Sequence, residues 1–198
     1  MVRSMIAGDT NYSSQTLQEM SEDLKEWVES LEDTCNRLTK LSEELHASGY
    51  WENVDSGFQD LILHCTAVYA RAGKEIQDVL SEIGNEVQTN HVSRINTLGK
   101  TGNELNHNLG QAWHRDYPRK EYGNPEFRKV ERLYCVARDM AAGMLDLMNL
   151  ASRLEDFVGK KTKATNSNVG LNEVVDLKPN FFGLGVNINA LIKKFRRK

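Results

Sequence analysis

The chain has 198 residues, 39% apolar and 27% charged, with a formal net charge of −3. That is enough for one domain, or one domain with an appendage, and for a sizeable core. No window approaches the roughly 18 apolar residues a membrane-spanning helix needs, and residues 1–10 hold no apolar run of signal-peptide length, so a cytoplasmic protein is expected.

Charge is unevenly spread. From Gln15 to Asp60 twelve acidic residues face Lys25, Arg37 and Lys40, whereas Leu191 to Lys198 carries five basic residues and no acidic one. Such polarisation bears on partners more than the total does. Three prolines, at 118, 125 and 179, leave room for long uninterrupted helices. The three cysteines, Cys35, Cys65 and Cys135, are far apart and fall at apolar positions of helical patterns. They read as buried, reduced thiols rather than zinc ligands, which would come in closely spaced pairs.

Residues 1–13 are polar and aperiodic, and Ser13 or Ser14 is the expected N-cap of a first helix. Leu17, Met20, Leu24, Trp27, Leu31, Cys35, Leu38, Leu41 and Leu45 recur at steps of three and four, giving one apolar stripe along a helix. Glu19, Glu22, Glu26, Glu29 and Asp33 line its other side. That stripe reads as a solvated face, or else as a docking surface for a basic partner or for the protein's own basic tail.

Ser48-Gly49-Tyr50-Trp51-Glu52-Asn53 is the hinge: Gly49 suits a C′ position with positive φ, and Asn53 or Asp55 caps the second helix. A second stripe then runs through Val54, Phe58, Leu61, Cys65, Val68, Ala72, Ile76, Val79, Ile83 and Val87. The two stripes pair as an αα-hairpin, its seam drawn from Leu24, Trp27, Leu31, Leu38, Leu61, Cys65, Val68 and Ile76. With Trp51 at the turn and Phe58 seven residues on, residues 12–90 resemble the WXG hairpin proteins exported by type VII secretion systems. Asn53 stands where that family has Gly. The resemblance implies a helical hairpin and a secreted or defence-associated accessory role.

After a break at 88–91, Val92, Ile95, Leu98, Leu105, Leu109 and Trp113 continue a helical pattern diluted by Gly99, Gly102 and Gly110. Each helical glycine costs about 1 kcal/mol relative to Ala, so 89–113 is expected to be the weakest helical part. Asn124 followed by Pro125-Glu126 starts a further helix. Its apolar face runs without interruption from Phe127 through Met140, Met144 and Leu154 to Phe157, and Gly159 closes it.

Residues 160–172 have linker composition. Residues 173–198 form a tail in which the period changes to two: Phe182, Leu184, Val186 and Ile188 share one face of a strand, the possible arm of a small β-hairpin around Pro179-Asn180. Lys193, Lys194, Arg196 and Arg197 come after it. These eight residues are the candidate partner-binding set.

Motifs of catalysis are scarce. His91, His107 and His114 match no zinc spacing, no GxxxxGK[ST] or GxGxxG occurs, and Arg94 stands too far from His107 for a helical ribonuclease pair. The basic cluster Arg115, Arg119, Lys120, Arg128, Lys129 and Arg132 is interrupted by acids, which disfavours nucleic acid. The expected fold is all-α, an elongated antiparallel bundle of three or four helices over 14–159 with a short β-like basic tail. The expected role is that of a non-enzymatic interaction or scaffold protein without metal or cofactor. It would bind a protein partner or a second copy through the tail, which the long polar linker favours over a tail folded back on the bundle. A membrane-acting helical effector, with the cationic tail on anionic lipid, is the alternative.

Overall fold

The structure, a computed structural model, describes residues 16–83, 86–117 and 123–159. Five α-helices succeed one another: α1 Leu17–Ala47, α2 Ser56–Ile83, α3 Thr89–Asp116, α4 Pro125–Gly143 and α5 Asp146–Glu155, with a 3-10 turn at Tyr50–Asn53 between α1 and α2. The fold is all-α, as the helical periodicity predicts. Among the described residues, no helix is long and apolar enough to cross a membrane.

Helix ends obey local chemistry. Thr16, not Ser13 or Ser14, caps α1: its hydroxyl accepts the Glu19 N–H at 3.2 Å, and its own N–H donates to the Glu19 carboxylate at 2.7 Å. This is a reciprocal capping box; the two serines lie outside the described residues. Gly49 takes φ 71° after α1, as the hinge requires. Asp55 supplies the cap of α2 through Phe58 N–H at 3.0 Å, and Asn124 caps α4 through Glu126 N–H at 3.0 Å. Trp51 is buried in the hinge against the His46 ring, 5.0 Å between centroids.

α1 packs on α2 and α4, and α3 packs on α2, α4 and α5. Residue pairs give the directions. Cys35 Sγ meets Thr66 O at 3.7 Å, Thr34 Oγ1 meets Met140 Sδ at 3.3 Å, and Ser48 Oγ donates to Glu126 at 2.8 Å, so α1 runs antiparallel to both α2 and α4. The core joins Leu24, Leu31 and Leu38 of α1 to Phe58, Ile62, Cys65, Tyr69 and Ile76 of α2, Ile95 and Leu109 of α3, and Leu133, Met144 and Leu150 beyond. Of the expected hairpin seam, Leu24, Leu31, Leu38, Cys65 and Ile76 are buried. Trp27, Leu61 and Val68 are half-buried, while Val28, Ile62 and Tyr69 take their place in the interior.

Three expectations are corrected. The helix read as continuous from 127 to 157 is two helices, because the bonds at Met144–Leu145 tighten to i→i−3: Leu145 N–H to Ala142 O at 3.1 Å and Met148 N–H to Leu145 O at 3.0 Å. Cys135 is exposed, on the side of α4 away from the core, and Cys35 is only half-buried. The glycines of α3 are not mere dilution. A Cβ on Gly99 would overlap Met148 Cγ and lie 3.0 Å from Met148 N; one on Gly102 would overlap Met144 Cβ and lie 2.9 Å from Ala141 O. Both glycines are buried where α3 meets the α4–α5 turn. They permit close backbone approach, which a larger residue would prevent.

Candidate functional site

Phe182, Leu184, Val186, Ile188, Lys193, Lys194, Arg196 and Arg197, with the linker and hairpin around them, lie outside the described residues. The structure does describe how the helical unit ends before them. After α5, Val158 forms a single parallel bridge with Val87, and Gly159 N–H donates to Val87 O at 3.3 Å. Gly159 has φ 70° there. The chain divides just beyond, into units 1–160 and 161–198.

The α2–α3 junction that receives this end is held by charge. Arg94 Nε bonds Glu75 and its Nη1 bonds Glu82, each at 2.5 Å, and these carboxylates raise the guanidinium further above its usual range. His91 is buried with Nδ1 accepting Gln88 N–H at 3.2 Å and Nε2 facing Glu82 at 3.4 Å. Its ring is therefore a structural clip joining two helices.

The acidic row foreseen on α1 is real: Glu19, Glu22, Glu26, Glu29 and Asp33 are all exposed. Near its start Asp23 pairs with Arg153 of α5 at 4.0 Å, which puts α5 beside the acidic half of α1.

Buried nucleophile types are held in unreactive forms. Burial pushes the Cys35 thiol up to about 12, with the Glu32 charge adding, and burial pushes Cys65 up to about 12 despite a lowering bond with Tyr69. A thiol so raised carries almost no thiolate near neutrality. Tyr69, raised by burial, donates its hydroxyl to Ala137 O at 2.5 Å across the core.

At the hinge end, α3 and α4 present aromatic rings. Trp113 stacks on Tyr134, 4.3 Å between centroids at 9°, and Phe58, Tyr117 and Phe127 complete the cluster at 4.8–6.1 Å. Tyr117 OH accepts Asp55 N–H at 3.3 Å and so ties the end of α3 to the start of α2. Beside the stack lies an open concavity of about 500 Å³ lined by Asn106, His107, Gly110, Gln111, His114 and Arg138. Sequence reading singled out His107 and His114 only to reject them as metal or catalytic ligands. It missed Arg138, because nothing in linear spacing links 138 to 106–114. Among the described residues no group of three or more His, Cys, Asp or Glu is placed to hold a metal.

Compared with family models, curated proteins and solved structures, the chain matches none.

Proposed function

We propose that the protein is a non-enzymatic scaffold: an elongated antiparallel bundle that carries its C-terminal tail as the element of self-assembly. The observation behind this reading is that the apolar stripes of α1 to α5 cover one another within the described residues, with the Val87–Val158 bridge near their C-terminal end. We read the tail as serving another task. Its alternating Phe182, Leu184, Val186 and Ile188 have strand chemistry, and a strand with unpaired backbone groups is a template for pairing. The cations beyond that strand complement the exposed acidic row of α1 in a second copy. Exposed charge pairs contribute only about 0–1 kcal/mol each, so the apolar strand supplies most of the association.

The test is a chain ended after Lys163, compared with the full chain by circular dichroism and light scattering. The shortened chain should keep its helical melt and lose self-association. Unfolding, or association equal to that of the full chain, would overturn the proposal. Flotation of the full chain, but not the shortened one, with anionic vesicles would assign the tail to a membrane instead.

A further inference from the structure

We propose that the concavity between α3 and α4 binds the phosphate group of a small soluble organic phosphate. This goes beyond the scaffold reading and does not depend on it.

Arg138 carries the argument. Its Nε donates to Asn106 Oδ1 at 3.3 Å, its Nη1 donates to Tyr134 OH at 3.1 Å, and its guanidinium sits 5.9 Å from the Tyr134 ring centroid. Tyr134 is itself fixed by stacking on Trp113. The guanidinium is therefore oriented by neutral groups that use two of its five N–H donors and none of its charge. Arg94 is different, since two carboxylates neutralise it. Among the described residues Arg138 pairs with no carboxylate, and none of the six lining residues is acidic. The remaining fork of donors is the geometry that oxyanions accept in bidentate fashion.

The opposite wall supplies more polar groups. His107 and His114 stand two turns apart on α3, with Gln111 bonded to His107 Nε2 at 2.8 Å. Gly110 lies between them, and a Cβ there would meet nothing within 4 Å, so the floor is open. A planar carboxylate has two oxygens in one plane. A tetrahedral phosphate has three terminal oxygens and can take donors from both walls at once. The concavity is open to solvent, so it can receive a phosphate group while the organic remainder of the ligand stays in water. The stacked Tyr134 and Trp113 make one side of the site rigid.

The test is a titration of the full chain with glycerol 3-phosphate at constant ionic strength, monitored through the histidine Cε1–H resonances. His107 and His114 should shift and saturate, while His64, exposed on α2, stays in place. Arg138→Gln should weaken binding by about tenfold or more, the loss expected for a charge-assisted hydrogen bond, with an unchanged thermal melt because Arg138 is exposed. Gly110→Glu places a carboxylate on the open floor and should abolish the shifts while the helix remains. Equal shifts at His64, or affinity indifferent to both substitutions, would overturn the proposal. So would Arg138-dependent binding seen only with phosphatidic acid vesicles, which would move the phosphate from a soluble ligand to a lipid headgroup.

Discussion

Among single residues the three cysteines differ most in chemistry. Cys65 is buried and Cys35 half-buried between α1 and α2, each with its thiol pushed up to about 12, mainly by burial. Cys135 is exposed. An aromatic disulfide reagent at pH 8 should label Cys135 quickly and reach the other two only as the chain unfolds. Cys135→Ser should remove the fast phase, and a comparably fast reaction of Cys35 or Cys65 would contradict the assignment. The same shifts fix a sign for alkaline stability. A thiol whose folded value lies above its unfolded one stabilises fully below the unfolded value, near 8.5, and that contribution fades as pH rises toward 12. Tyr117, also pushed up to about 12 by burial, acts in the same direction. Stability should therefore fall progressively between about pH 9 and 12. Sequence alone placed all three cysteines on buried stripes. Cys135 fails that reading because two residues on an α-helix turn about 200°, so burial of Ala137 sends Cys135 to the opposite side.

At the scale of elements, the contact of α3 with the α4–α5 turn shows what periodicity conceals. Residues 127–157 keep a helical pattern throughout, and their one glycine, Gly143, stands directly before Met144–Leu145, whose backbone angles remain helical. A single glycine inside a helical pattern does not by itself predict a break. Only the shortened hydrogen bonds reveal the break. Its counterpart is equally hidden: Gly99 and Gly102 look like helix-weakening residues until Met148 and Met144 are found against them. The hinge, by contrast, was legible because Gly49 and Asp55 act through local backbone chemistry. The glycines of α3 should therefore respond in opposite directions to one substitution. Gly102→Ala drives a methyl into the Met144 side chain and the Ala141 carbonyl, an overpacking that costs about 1–3 kcal/mol. Gly110→Ala meets nothing and should stabilise by up to about 1 kcal/mol through helix propensity. Urea midpoints of the two variants would measure this, and a gain for both would mean that α3 does not approach α4 and α5 so closely.

For the whole molecule the question is where the folded helical unit ends. The apolar pattern places its last strong position at Phe157, and linker composition begins at Lys160. The candidate site was less legible than this boundary, since Arg138 and Asn106 meet only through packing of α4 on α3. The structure makes the boundary physical. Phe157 and Val158 are partly buried against the core, Val158 bridges Val87, and Gly159 donates to Val87 O, the last such bond among the described residues. These contacts join the segment after α5 to the α2–α3 junction, next to the Arg94 and His91 clip. A chain ended after Gly159 retains them all and should unfold in urea within about 0.5 kcal/mol of the full chain, the range of changes that disturb no buried feature. A chain ended after Glu155 exposes apolar surface at the α2–α3 junction and loses two large apolar side chains. Each is only partly buried, so the combined loss should be about 1–3 kcal/mol. Unfolding midpoints of the two shortened chains decide the matter. Equal midpoints would show that residues 156–159 contribute nothing, whereas a large loss already at Gly159 would show that the tail completes the core and is not available for assembly.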